Sequence, residues 1–94
     1  MTAALLSDDE ITARLQGSAW VREGDEIVRD YKLDNFADAI ALVNRVAQAA
    51  EQRNHHPDIL VHGWNNLRLS LTNHAAGGLT AVDFEMAEQF DALA

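Results

Sequence analysis

The chain has 94 residues, 48% of them hydrophobic and 23% charged, with no cysteine and a formal net charge of −8. That length carries one modest core, so 1–94 reads as a single domain. The missing cysteines exclude disulfides, thiolate catalysis and cysteine-based zinc or iron–sulfur sites, and seven Lys and Arg against fifteen acids leave no basic cluster for nucleic acid or an anionic membrane surface.

Met1–Glu10 lacks a basic segment followed by an apolar run, so no signal peptide is expected, and no apolar stretch approaches the roughly 20 residues that span a bilayer. Together these predict a cytoplasmic protein. Ser7 followed by Glu10 predicts a capping box and a short helix to about Leu15, ended by Gly17. Trp20–Glu23 and Glu26–Leu33, separated by Gly24-Asp25, predict a hairpin. Asp34 is the expected cap of a long helix from Asn35 to Asn54. Its apolar stripe is Phe36, Ile40, Val43, Ala47 and Ala50, widened by Ala39, Leu42 and Val46. Pro57 forbids its continuation. Asp58–His62 predicts a third strand and Gly63–Asn66 a turn. Leu67, Leu69 and Leu71 alternate with polar residues in a fourth strand. Gly77-Gly78 predicts a tight loop. Thr80 with Asp83 predicts a second capping box, opening a helix with Val82, Met86, Phe90 and Leu93 along one side. The expected fold is α+β, order α-β-β-α-β-β-α: a four-stranded antiparallel sheet with helices packed on one face.

The chemistry-bearing residues are scarce histidines. Of four, His55 and His56 stand where the long helix gives way to a strand, and His74 stands where the last strand ends. The start of one hairpin strand lies beside the end of the other, so the three should converge. Imidazole, with an ordinary pKa near neutrality, both gives and takes protons. A His-rich surface turn remains the alternative reading, and a metal site is disfavoured because adjacent histidines on an extended segment point apart. His62 reads as a strand or interface residue. Glu51, one helical turn before His55, should touch and orient it. Asp83 reads first as a helix cap. Trp20 and Trp64 read as packing aromatics, with stacking on a flat ring the functional option for either.

Glu51-Gln52-Arg53-Asn54-His55-His56-Pro57, then Trp64-Asn65, then Thr72-Asn73-His74 through Gly78-Leu79-Thr80 to Asp83, resembles the pterin-4a-carbinolamine dehydratase family over nearly the whole chain. Asn54 stands where the family usually has Asp, Asn73 where it usually has Thr, and Val61–Asn66 is one residue longer. The resemblance implies a hydro-lyase (EC 4.2.1.96) acting in tetrahydrobiopterin recycling. It would remove water from a 4a-hydroxytetrahydropterin to give the quinonoid dihydropterin, with no cofactor and no metal. It implies His55, His56 and His74 as catalytic residues, with proton transfers on His56 and His74 and pterin orientation on His55. Glu51, Asn54, Pro57, Trp64, Thr72, Asn73, Ala75 and Asp83 would be substrate-binding, Glu51 tuning His55 and Trp64 walling the pocket. The implied partners are a small-molecule pterin and a second copy in a homodimer or homotetramer, with no nucleic acid and no membrane. The alternative is a non-catalytic interaction module on the same fold, an assembly factor or coactivator.

Overall fold

A computed structural model describes residues 4–94, in the order α1 (Asp8–Leu15), β1 (Val21–Glu23), β2 (Glu26–Lys32), α2 (Phe36–Arg53), β3 (Asp58–His62), β4 (Asn66–Leu71) and α3 (Ala81–Leu93). The α+β order expected from the sequence is the order found. The signal-peptide reading of Met1–Ala3 lies outside the described residues.

Both hairpins form, and they meet at the centre of one antiparallel sheet ordered β1-β2-β4-β3. The β2–β4 register runs from Ile27↔Leu71 to Lys32↔Asn66, and the β3–β4 register from Asp58↔Ser70 to His62↔Asn66. Alternation does what the pattern of β4 demands: Leu67, Leu69 and Leu71 are fully buried and the residues between them are not. They join Ile27 and Tyr31 of β2, Leu42 and Val46 of α2, and Met86 and Phe90 of α3 in one core. Burying side chains of this size stabilises by about 1.5–3 kcal/mol each before entropy is counted.

Two helix boundaries follow their caps. Ser7 accepts from the Glu10 N–H at 3.1 Å while Glu10 accepts from the Ser7 N–H at 3.0 Å. The Ser7 backbone N–H, and secondarily the Ser7 hydroxyl, hold the Glu10 carboxyl below its ordinary value. The cap of α2 is Asn35, not the expected Asp34. Asn35 is the extended residue, and its Oδ1 accepts from the Asp38 N–H at 2.8 Å. The buried face of α2 is also turned from the expected one. Ala39, Leu42, Val46, Ala49 and Ala50 face the core, while Phe36 is 54% exposed and Ala47 is exposed. The two stripes differ by roughly a quarter turn of helix, so the residues expected only to widen the stripe are its centre.

The segment before α1 holds down a distant loop. The Leu6 N–H donates to the Leu79 carbonyl at 2.9 Å, and Leu5 forms a bridge with Thr80. No helix among the described residues is long and apolar enough to cross a membrane.

Candidate active site

The helix-to-strand corner is built by Asn54. It adopts the left-handed conformation (φ 53°, ψ 43°), and its N–H turns back to the Ala50 and Glu51 carbonyls. The His55 N–H then donates to the Ala50 carbonyl at 3.1 Å, closing the helix. Asparagine tolerates this conformation better than most residues, so Asn54 serves here as a corner piece.

Leaving the helix at Asn54 cancels the expected Glu51–His55 contact, because four-residue spacing brings side chains together only while the helix continues. Glu51 instead lies 3.5 Å from the Nε2 of His56, with both side chains exposed. His55 turns inward, its side chain 13% exposed, and its Nε2 lies 2.6 Å from Oδ1 of Asp83. Asp83 is fully buried. Its other oxygen, Oδ2, accepts from the Thr80 N–H at 2.8 Å and from Thr80 Oγ1 at 3.3 Å. The capping role read for Asp83 is therefore present, and a second role sits on the same carboxylate. A carboxylate can only accept, so His55 carries a proton on Nε2, and in the neutral imidazole Nδ1 is then the acceptor.

His74 is exposed, on a loop folded by Asn73. The Asn73 N–H donates to the Gly78 carbonyl at 3.0 Å, and its carbonyl accepts from Gly77 at 2.9 Å and Gly78 at 3.2 Å. Its Oδ1 accepts from the Ala76 N–H at 3.0 Å. Gly77 sits at φ +81°, where a side chain is strained. Thr72 Oγ1 donates to the Asp25 carbonyl at 2.6 Å, tying the loop to the β1–β2 turn. Asn73 and the Thr72 hydroxyl thus build the loop, whereas the His74 and Ala75 N–H groups take part in none of these bonds. Between this loop and Asp25 and Glu26 lies a cleft of about 310 Å³, at the lower end of the range for small-molecule sites.

All three histidines share one end of the sheet, as expected. The β3–β4 pairing stops at Asp58↔Ser70; continued by two residues it sets His56 opposite Thr72, just before His74. They do not share one cavity, however. The cleft reaches His74 on the β2 side of the β4 exit, and His55 and His56 flank the β3 side. Pro57 is half-buried beside them. A larger cavity, about 370 Å³, lies between Arg14, Trp20, Phe84 and Asp91, away from every histidine. Among the described residues no group of three or more His, Asp or Glu is arranged to hold a metal ion.

Trp64 does not wall this site from within the chain. It sits at the β3–β4 turn, beyond the opposite end of β3, in a left-handed conformation (φ 59°), 61% exposed. Five strand residues at about 3.3 Å each, plus the corner, separate it from His56 by roughly 20 Å. Its neighbour Asn65 is structural: Nδ2 donates to the Leu33 carbonyl at 2.9 Å, and its own carbonyl accepts from the Leu33 N–H at 2.8 Å.

One polar cluster escaped the sequence reading. Asp91 accepts from Trp20 Nε1 at 3.1 Å and from the Tyr31 hydroxyl, and pairs with Arg29 at 2.7 Å. Burial, reinforced by the Asp91 bond and charge, pushes Tyr31 well above the ordinary phenol range. Nothing local signals this cluster, because its members come from β2, α3 and the loop before β1.

A two-hairpin sheet carrying a carboxylate-held histidine, with two more histidines around the exit of its central strand, defines a small α+β domain with its titratable groups gathered at one end. The family profile described as pterin 4 alpha carbinolamine dehydratase matches residues 4–93. The chain belongs to that family. A relative from Nocardia farcinica, under the provisional name pterin-4-alpha-carbinolamine dehydratase, is 50% identical over 100% of this chain and 99% of its own. One from Roseiflexus castenholzii, under the same provisional name, is 49% identical over 95% and 96%. Among solved structures, a transcriptional coactivator/pterin dehydratase from Brucella melitensis superposes with a TM-score of 0.88 at 27% identity, covering 95% of this chain and 97% of its own. A pterin dehydratase-like protein described as a RuBisCO assembly factor in the alpha-carboxysome shares the fold, with a TM-score of 0.67 at 20% identity over 80% and 88%.

Proposed function

We propose that this chain is a 4a-hydroxytetrahydropterin dehydratase, working in the cytoplasm in tetrahydrobiopterin recycling as a homodimer or homotetramer. The observation that carries the reading is the pairing of His55 with the buried carboxylate of Asp83 at 2.6 Å, which fixes one imidazole at the end of the sheet that also carries His56 and His74. In the reaction a base removes the proton from the pterin ring nitrogen. The nitrogen electron pair forms the new double bond to the carbinolamine carbon, the C–O bond breaks, and an acid protonates the departing hydroxyl to water. His55, acceptor on Nδ1, binds and orients the pterin. His56 and His74, both exposed, serve as the proton-transfer pair. The N–H groups of His74 and Ala75 meet the polar edge of the ring in the cleft, which Thr72 and Asn73 shape. Glu51 acts on His56, Asn54 and Pro57 fix the corner, and no metal or organic cofactor takes part.

The test is direct dehydration of a 4a-hydroxypterin. His74→Ala should lower kcat/KM by on the order of 10²–10⁴ with an unchanged far-UV circular dichroism spectrum. Wild-type protein no faster than buffer sinks the proposal. The Brucella melitensis relative is described as a coactivator as well as a dehydratase, and this supports a second reading: a non-catalytic interaction module. That reading predicts a partner recovered by pull-down whose binding ignores loss of His55, His56 and His74.

A further inference from the structure

The cavity of about 370 Å³ between α3 and the segment joining α1 to β1 takes no part in the histidine chemistry. Phe84, Ala87 and Asp91 recur at helical spacing, so one side of α3 lines it. Trp20 lines it from the opposite segment. Trp20, Phe84 and Ala87 are all buried, so the floor is two aromatic rings and a methyl group. A longer side chain at position 87 would occupy the space that this alanine leaves open. Asp91 is already engaged. It accepts from Trp20 Nε1 at 3.1 Å and from the Tyr31 hydroxyl, and it pairs with Arg29 at 2.7 Å. It therefore fixes the Trp20 ring as a wall and has little left to offer a ligand.

The rim carries two opposite charges that do not meet. Arg14 stands over the Phe84 ring, its guanidinium carbon 5.6 Å from the centroid. Arg22, Arg29, Arg53 and Arg68 each pair with a carboxylate, whereas Arg14 forms no ion pair among the described residues. Glu88 lies one helical turn beyond Phe84, exposed at the same cavity, and it forms no ion pair among them either. A guanidinium and a carboxylate flanking one opening over an aromatic floor fit a ligand with both charges close together and a flat ring beside them. A free α-amino acid has that arrangement; a peptide does not, because its amine and carboxylate lie at opposite ends. We propose that this cavity is a second binding site, for a free aromatic α-amino acid. Arg14 takes the carboxylate through paired N–H donors, Glu88 takes the ammonium, and the ring lies against Trp20 and Phe84. The volume, near the lower end for small-molecule sites, suits a ligand of one ring. The site is separate from the histidines, so it does not rest on the dehydratase reading.

The experiment titrates ¹⁵N-labelled full-length protein with L-phenylalanine to about 10 mM and follows the amide and indole N–H signals, expecting a Kd of about 1 mM or tighter. Saturable shifts should fall on the Trp20 indole and the Gly17 and Ala87 amides. The Trp64 indole, the second of two in the chain, should stay still, as should the amides around His74. No saturable shift at Trp20, or shifts centred on the His74 loop, overturns the proposal. Phenylacetate lacks the ammonium and phenethylamine lacks the carboxylate, so each should bind at least about tenfold more weakly than L-phenylalanine; equal binding of either overturns the zwitterion assignment. Arg14 and Glu88 are exposed, so Arg14→Gln and Glu88→Gln should fold as wild type. Each should raise the Kd for L-phenylalanine about tenfold. Arg14→Gln should leave phenethylamine binding unchanged, and Glu88→Gln should leave phenylacetate binding unchanged. An unaltered Kd for L-phenylalanine in either variant overturns the role given to that residue. Ala87→Leu fills the floor and should abolish the shifts; binding retained in a folded Ala87→Leu protein places the ligand elsewhere and overturns the proposal.

Discussion

Replacing Asp83 separates its two roles. Asp83→Ala removes the acceptor from the Thr80 N–H, a lost helix cap costing about 1 kcal/mol, and strands the Nε2–H of a largely buried His55, costing about 1–3 kcal/mol. The sum, about 2–4 kcal/mol, corresponds to a fall in Tm of roughly 8–30 °C for a domain of this size. Asp83→Asn is nearly isosteric. Its amide oxygen can still accept from Thr80, leaving the NH₂ toward His55. An NH₂ cannot accept, so His55 must move its proton to Nδ1 and present Nε2 as acceptor, which removes the acceptor offered to substrate. The Asn variant should therefore keep its stability within about 1 kcal/mol of wild type, yet lose on the order of 10² or more in kcat/KM, as expected for a wrong-tautomer imidazole. Thermal unfolding, steady-state kinetics and two-dimensional ¹H–¹⁵N correlation of the imidazole nitrogens read the three quantities separately. An Asn variant with wild-type activity and the proton still on Nε2 would refute the reasoning.

Three further outcomes are expected. Tyr31 is the one tyrosine in the chain, so absorbance at 295 nm follows it alone; no phenolate should appear at pH 10–11 in folded protein, because burial and Asp91 raise it. Since the unfolded phenol ionises near pH 10 and the folded one above that, the stability from this group is complete below about pH 10 and is lost as pH rises toward the folded value. Ionisation at pH 10 in folded protein contradicts this. Glu51→Gln, altering only an exposed contact to His56, should change kcat/KM less than fivefold and far less than Asp83→Asn; the reverse order would restore Glu51 as the partner that matters. Gly77→Ala meets no atom within 4 Å but forces a side chain to φ +81°, a cost of about 1–2 kcal/mol, so chemical denaturation should show a loss of that size, and none would mean the loop relaxes freely.

Much of the fold is legible because its signals are local. Ser7 with Glu10, Thr80 with Asp83, Pro57 after the long helix and the Leu67-Leu69-Leu71 alternation each act within a few residues. The order of elements and the shared end of the three histidines follow from them. What is not legible depends on contacts across the sequence. His55 and Asp83 are 28 residues apart, and only the packing of α3 against α2 joins them. Four-residue spacing makes Glu51 the obvious partner, and the left-handed turn at Asn54 annuls it. The face of α2 is ambiguous in sequence because alanines and branched residues lie on most of its circumference, so the sheet chooses among several apolar stripes. The Asp91 cluster joins residues as much as 71 apart.

The bond from Leu6 to Leu79, with the bridge from Leu5 to Thr80, bears on how this protein is handled at the bench. Polypeptide fused ahead of Ala4 emerges beside the loop that carries His74, where a folded tag would strain the strap and crowd the cleft. Fusion after Ala94 emerges at the far end of α3, whose 13 residues at 1.5 Å rise set it about 20 Å from the site. Purification handles and fluorescent reporters therefore belong at the C-terminal end, and comparing the two fusions by Tm and turnover measures how firmly the first strap restrains the loop.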